Sequence, residues 1–515
     1  MASGAGTLRS IAAGLRLGRW RALVHGAWQL LVTTKRRHGW RGLFARLRRH
    51  AFRWPGILRA LAHTARADAP AIDRGADARH ALPPPRLHPE LGGPAEIIDA
   101  AVSVVIPVLN GGIELELLIR RLLDQRGVRS IEVVVVDSGS TDGSVQRARE
   151  AGARVIELAP QDFSHSHARN LGADHAGGDH LLFMVQDAYP IGELWVHGLL
   201  RYLLDHREQG VVAASCAEYC RSDSDAMYDC MIDTHYRYLG CRDRDRVGAH
   251  VGDDHTSLRT MGQLSDVACI LPRELFQRFR YRGKYAEDMD LGIRLIQAGH
   301  RIAMLASVKV IHSHRRPAWY FLKRAFVDVV FLVDLFDDFD VPPCTSIDGL
   351  VTGMRVVAEH AGRWCADLAA LPDGAAIGEV LGGWIAAAHR WALVPAGGEL
   401  ASLGDPRVQD FVEQLWRAAP PMRGAAPSAQ HTAQARRFVE EFIGRIDHFN
   451  RFASPLYDGA DHRLRAEFAA AVRIAFASAV GATLAHWHLE RRAAATDDPE
   501  RRWSQQVFDQ LTAGV

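Results

Sequence analysis

Cysteine is scarce, with seven in 515 residues, an odd number. That usage argues against a disulfide framework and fits a reducing compartment. Cys216, Cys220, Cys230 and Cys241 fall in one run, but their spacings are not those of a zinc ribbon or finger. Buried or incidental thiols are the leading interpretation there, and a zinc site the lesser one. Long apolar runs are missing too. No stretch reaches the roughly 18 uncharged apolar residues of a membrane span. Residues 22–34 are too short, and 474–489, the nearest approach, contains Ser478, Thr483, His486 and His488. A net charge of only +2 gives the whole chain no bias toward nucleic acid. Acid is absent from one region alone: residues 1–67 hold fourteen Lys and Arg and no Asp or Glu. Arginines keep interrupting that segment, which lacks a signal-peptide shape. Neither GxGxxG nor GxxxxGKS appears after the first strand, which argues against nicotinamide and P-loop chemistry.

What is present divides the chain into four. Residues 1–79 read as basic amphipathic helices, with Trp40, Leu43, Phe44 and Leu47 able to share one face. Such helices suit an anionic membrane surface. The plainer alternative is a helical extension packed on the main domain. Residues 80–99 are a Pro/Gly-rich linker. From 100 to 340 strands alternate with helices: VSVVIPV, IELELLIRRLLDQ, IEVVVVD, SVQRARE and ARVIEL. That alternation predicts an α/β domain with a mixed, largely parallel sheet flanked by helices. Residues 341–515 are Ala- and Leu-rich at helical spacing and carry no chemistry motif.

Ligands of open α/β sheets sit beyond the carboxyl ends of the strands. Those ends carry Pro107 and Asn110 after the first strand, then Asp137 and Ser140 in DSGSTDGS, then Gln186 and Asp187 in LLFMVQDAYP. A carboxylate at the tip of a core strand is costly unless something pairs with it. Asp187 therefore suits a divalent cation that in turn meets phosphate oxygens. DSGSTDGS alone is equally well a helix cap with turn glycines. In KYAEDMDLGIRLIQAGHRI, Glu287, Asp288 and Asp290 open a helix, three acids where capping needs fewer. VKVIHSHRRP reads as a strand ending in His312 and His314, either ligands or solvated loop residues.

The ordered set SVVIPVLN, VVVVDSGSTDGS, FSHSHARN, QDAYP, YAEDMDLGIRLIQAGH and VIHSH resembles the family 2 glycosyltransferases of the GT-A fold, over about residues 100–335. The stretch from FSHSHARN to QDAYP is similar to the bacterial rhamnosyltransferases of that family. The resemblance implies an inverting, metal-dependent sugar transfer from a nucleotide diphosphate donor. It gives Asp137 the base, with Pro107, Asn110 and Ser140 lining the pocket. Arg169 and Asn170 would position nucleotide or sugar, with Gln186 beside them. Asp187 and His312, with His314 as the substitute, would hold Mg or Mn, and Asp288, next to Glu287, would be the general base. The implied partners are a dTDP-rhamnose or UDP-sugar donor and a surface-glycan or lipid-linked acceptor, with no nucleic acid. The implied location is cytoplasmic, at the inner face of the plasma membrane. Two departures stand out: the family's DxD reads Val185-Gln186-Asp187 here, with Asp187 as its last residue and no acid at its first, and Ser138 replaces the acid after Asp137. They motivate a rival, a degenerate domain serving as a glycan-binding or scaffold module. A nucleotidyltransferase would need a basic Gly-rich stretch after the first strand, where PVLNGGIELE is acidic.

Overall fold

The first described strand, β1 (Ile98–Val108), is an apolar run whose inner residues Val102, Val104, Val105 and Ile106 are buried. The computed structural model describes residues 97–395, 403–419, 427–456, 461–495 and 497–513. The basic N-terminal segment, and with it the membrane-surface expectation, lies outside the described residues.

Helix α1 (Gly112–Leu123) follows, burying Leu115, Leu118, Ile119 and Leu122 at helical spacing. Next come β2 (Val128–Asp137), α2 (Ser144–Glu150), β3 (Arg154–Glu157), α3 (His165–Asp174), β4 (His180–Met184) and β5 (Tyr189–Pro190). Then α4 (Trp195–Asp205), β6 (Val211–Tyr219), α5 (Ala226–Leu239), β7 (Arg246–Gly248) and α6 (His255–Gly262). The last sheet segment runs β8 (Ala268–Pro272), α7 (Arg273–Phe279), α8 (Glu287–Gln297) and β9 (Arg301–Ile311).

The nine strands form one mixed sheet in the order β3-β2-β1-β4-β8-β6-β9-β5, with β7 on β9. β1 pairs in parallel with β2 and β4, β2 with β3, and β6 with β9. The β4–β8, β6–β8, β5–β9 and β7–β9 pairings are antiparallel. After β3 the chain crosses to the other side of β1, so β1 and β4 flank a topological switch point where a crevice opens. Side chains alternate between the two faces. Val104, Ile106, Leu182 and Leu115 build the core on one face, and Val105, Val134, Phe183 and Leu271 the core on the other.

Beyond β9 the described elements are helical: α9 (Ala318–Leu335), α10 (Ile347–Ala369), α11 (Ile377–Ala388), α12 (Pro406–Ala418), α13 (Ala429–Ala453), α14 (His462–Arg491) and α15 (Pro499–Thr512). They share a third core that also takes in Ala226, Met227 and Cys230 of α5. Gly481 lets α14 lie against α9, since a Cβ there would sit 2.0 Å from the Leu322 carbonyl oxygen. Among the described residues α14 alone is long and apolar enough to cross a membrane, and 89% of its most apolar window is buried inside the protein.

Candidate active site

The edge of the sheet at the carboxyl ends of β1, β2, β4, β6 and β9 collects the polar residues. β8 runs antiparallel to β4, with Ala268 opposite Met184, so the segment entering β8 reaches the same edge.

Asp137 ends β2 and is buried. Its Oδ2 accepts hydrogen bonds from the Gly139 and Ser140 backbone N–H groups, both at 3.0 Å, while buried Oδ1 meets no hydrogen-bond partner. Gly139, at φ +99°, makes the turn. The N-cap of α2 is Gly143, with no side-chain cap, and the acid near the helix start is the residue before it. Asp142 accepts from the Ser144 N–H at 3.0 Å, where α2 begins. Pro107 lies in β1 opposite Val136. Asn110, in the left-handed region at φ 52°, donates its N–H to Ser140 Oγ at 2.7 Å, and its Oδ1 accepts from Thr141 N–H at 2.9 Å. Pro107, Asn110, Asp137 and Ser140 are thus brought together across β1 and β2.

The two departures sit on the same piece of backbone. Ser138 N–H and Oγ both donate to the Val108 carbonyl at 2.9 Å. The Gln186 amide accepts from Leu109 N–H at 2.9 Å and donates to Leu109 O at 3.2 Å. Each therefore clamps the end of β1, a task a carboxylate, acceptor-only when ionised, cannot share in full.

Asp187 follows, half-buried, in a group of three potential ligands. One donor atom each from Asp187, His312 and His314 lies within 4.8 Å of the others. His312 Nε2 is 3.6 Å from Asp187 Oδ1, and His314 Nδ1 is 3.4 Å from Oδ2. The far nitrogen of His312 is held by Glu218 at 2.5 Å, and Glu218 also accepts from the Tyr236 hydroxyl at 2.9 Å. Carboxylate-backed histidines of this kind are fixed in ring orientation, ready for a metal. Burial alone would raise the Asp187 carboxyl, but His312 and the charges of His314 and Arg316 outweigh it and lower it. Burial would lower His312, yet Asp187 and Glu218 lift it to about 9, whereas burial takes His314 down to about 4. The carboxylate and two imidazoles fit a divalent transition ion such as Mn better than Mg, which prefers oxygen. A cavity of about 290 Å3 opens beside them, lined by Asn110, Gln186, Asp187, His314, Arg315 and Arg316 among others.

A second acidic group stands where α8 begins. Glu287 Oε1 is 2.6 Å from Arg169 Nη1, which is also 3.2 Å from Asp266 Oδ2. The Tyr281 hydroxyl donates to Asp266 Oδ1 at 2.5 Å. Asp288, half-buried, accepts from Met289 N–H at 2.8 Å and Asp266 N–H at 3.3 Å. Burial raises all three carboxyls, taking Asp266 to about 6, and Asp288 to about 6 with the Asp266 charge adding to it. Ala286, just before them, adopts φ 51°, a left-handed conformation that costs a non-glycine residue energy. Arg169 is therefore spent on these acids. Asn170 likewise brackets Tyr281, donating to its carbonyl at 3.0 Å and accepting from its N–H at 3.2 Å.

Glu218, Asp266 and Tyr281 were not singled out in the sequence. Glu218 had a usable signal, because VVAASCAEY is another apolar strand running into an acid. The cysteines are dispersed: Cys216 is buried in β6, Cys230 in α5, and Cys241 beyond it.

Residues 103–265 match the family described as Glycosyl transferase family 2. The chain carries a family 2 glycosyltransferase domain. It is 25% identical over 236 residues to the O-antigen chain rhamnosyltransferase RfbN of Salmonella typhimurium, covering 45% of this chain and 72% of that one. It is 25% identical over 205 residues to the O-antigen chain rhamnosyltransferase WbaN of Salmonella anatum, covering 39% and 62%. Glycosyltransferase GlyA of Streptococcus pneumoniae is 23% identical over 231 residues, covering 42% of this chain but 31% of its own. Among solved structures, a mannosyltransferase from Pyrobaculum calidifontis in complex with GDP-Man and Mn2+ aligns at TM-score 0.36 and 19% identity, over 56% of this chain and 76% of that one. With the family match, the mixed sheet and its helical flanks bear out the expected GT-A-type fold and the likeness to rhamnosyltransferases.

Proposed function

We propose that this domain transfers a sugar from a nucleoside diphosphate donor to a hydroxyl of a glycan or lipid-linked acceptor, with inversion at the anomeric carbon. The observation that carries the proposal is the pairing, on one sheet edge, of a cation-ready Asp187–His312–His314 group with a proton-accepting Asp288. Asp137 Oδ1, buried and without a partner, is suited to a base N–H of the nucleotide. A divalent ion held by Asp187, His312 and His314 would neutralise diphosphate oxygens. Arg315 and Arg316 bring further positive charge to the same cavity. Asp288 takes the proton of the acceptor hydroxyl as its oxygen bonds to the anomeric carbon. The bond from that carbon to the diphosphate oxygen breaks on the opposite face, and the nucleoside diphosphate leaves with the electron pair. One in-line displacement inverts the centre and needs no covalent enzyme intermediate.

The donor read from the rhamnosyltransferase likeness is dTDP-rhamnose first and a UDP-sugar second, with the chemistry at the cytoplasmic membrane face. The scaffold alternative drew on Ser138 and Gln186. Since both side chains clamp the end of β1, their presence no longer argues for lost activity.

The test is the melting temperature of the protein with dTDP, UDP and GDP, each with and without Mn, beside Asp187→Ala. A ligand of the folded state must raise it. The expected result is a rise with one base that depends on Mn and disappears in Asp187→Ala. No rise with any nucleotide would put the scaffold reading ahead of the transfer reading.

A further inference from the structure

One face of α9, continued by Arg316 just before the helix, runs from the donor cavity toward Tyr285, and its residues within the helix have no part in the reaction as described. Arg316, Tyr320, Arg324 and Asp328 recur every four residues, the spacing of one helix face. At one end Arg316 lines the cavity beside Asp187, and its guanidinium carbon lies 5.6 Å from the centre of the Tyr320 ring. At the other end Arg324 lies 3.0 Å from Asp328 and 5.2 Å from the centre of the Tyr285 ring. Asp328 accepts the Tyr285 hydroxyl, and the ring of Phe331 lies 4.8 Å from that of Tyr285. Tyr285 stands three residues before Asp288. The stripe therefore begins at the donor cavity and ends beside Tyr285, in the turn that leads to Asp288. Tyr228 of α5 approaches from across, with its ring centre 5.8 Å from that of His314 and the rings nearly perpendicular, and it lies within electrostatic reach of both Tyr320 and Arg324.

Arg324 and Asp328 form an i,i+4 ion pair on α9, with side chains 48% and 42% exposed. Such pairs contribute little to stability, about 0–1 kcal/mol. Here the guanidinium also sits over the half-buried ring of Tyr285, and half-buried Tyr320 stands one turn before it on the same helix face. Half-buried aromatic faces beside a planar cation and a carboxylate match one ligand chemistry well. A pyranose offers an apolar C–H face to a tyrosine ring, and its neighbouring hydroxyls suit the fork of a guanidinium and the lone pairs of a carboxylate. We propose that Tyr320, Arg324 and Tyr285 form the subsite for the acceptor sugar, placing its hydroxyl between the donor cavity and Asp288. The proposal rests on the glycosyl-transfer reading, and it assigns to the first helix after the sheet a direct part in acceptor choice. Tyr285 has a second consequence: tied to Asp328, it fixes the strained turn at Ala286 from which Asp288 projects.

The experiment measures initial rates with Mn, a dTDP-rhamnose or UDP-sugar donor, and the methyl glycosides of rhamnose, mannose and galactose as acceptors. The full chain is compared with Arg324→Ala, Arg324→Lys and Tyr320→Ala. The expected result is a KM for the accepted glycoside raised about tenfold or more in Arg324→Ala, the size of a lost charged hydrogen bond. Arg324→Lys recovers part of it, and Tyr320→Ala shows a smaller rise. The thermal shift with nucleoside diphosphate checks that each variant is folded. A KM within about twofold of the original in both alanine variants overturns the subsite. So does a chain that hydrolyses donor yet gives no saturation-transfer NMR signal with any of the glycosides. A chain that neither binds nor consumes any donor overturns the transfer reading itself, and the subsite with it.

Discussion

Two acidic clusters occupy the same edge of the sheet, and their surroundings drive them in opposite directions. Asp187 faces His312 and His314, and its carboxyl is lowered. Asp266 and Glu287 share the single guanidinium of Arg169, Asp288 accepts from the Asp266 N–H beside them, and all three carboxyls are raised. The difference lies in the neighbours. An acid flanked by imidazoles stays ionised and offers lone pairs to a cation. Three acids around one arginine carry surplus negative charge in a buried place, and a proton relieves it. Separated tuning of like groups is how one site assigns different roles to the same residue type.

The sharpest way to break the comparison is Asp288→Asn. The amide keeps the shape and the hydrogen bond from Met289 N–H but cannot take a proton. Transfer should fall by about 10²–10⁴-fold, with melting close to the original. Undiminished turnover would remove Asp288 from the base role. The sign of the pH dependence follows from the same raised carboxyl. Below about 6 Asp288 holds its proton and cannot accept another, so the transfer rate climbs as pH rises through about 6 and then levels. Asp266→Asn removes the like charge that helps raise Asp288, so the midpoint should move down. A midpoint that stays in place would show that burial alone does the tuning.

Next in size is the cation cluster. Glu218→Gln leaves Asp187, His312 and His314 in place but weakens the grip on His312 Nδ1. Metal affinity should drop about 10–100-fold, read from Mn titration of the nucleotide-dependent thermal shift. An unchanged affinity would mean that His312 is not a ligand, and that Asp187 and His314 carry the ion.

The unequal legibility of these clusters has a physical cause. Asp187, Asp288 and His312 each stand at the end of an element whose periodicity is plain, so position along the chain was enough to find them. The sheet's parallel half was readable for the same reason, because VSVVIPV and IEVVVVD are buried on both faces and end in turn glycines. Arg169 was found but its contacts were not. A buried guanidinium goes to whichever acids the fold brings within reach, and Asp266 and Glu287 are 97 and 118 residues away in sequence. Asn170 was likewise visible as a polar residue on α3, while its hold on Tyr281 depends on how the loop before α8 returns. The helical C-terminal half showed its periodicity but not its partners. That Glu467 of α14 accepts from the Ala226 N–H at 3.0 Å and meets Arg315 at 2.7 Å, next to the cavity, is a tertiary fact with no local signal.

The smallest expected effect probes the residue that looked most like a defect. Gln186→Glu keeps the length of the side chain and puts a second acid beside Asp187, within the three residues that align with the family's DxD. The carboxylate can still accept from Leu109 N–H, but it faces the Leu109 carbonyl with an acceptor in place of a donor. One hydrogen bond is lost and two oxygens oppose, so urea unfolding should show a loss of about 1 kcal/mol. Mn affinity should change less than in Glu218→Gln, because the amide is turned toward the backbone of β1 and Glu218 toward a ligand. Tighter Mn binding at undiminished stability would reverse the account: Gln186 would then be a weakened metal ligand, and the clamp on Leu109 incidental. The two outcomes separate a loop-holding residue from a lost carboxylate, a distinction that the bare letters QDA leave open.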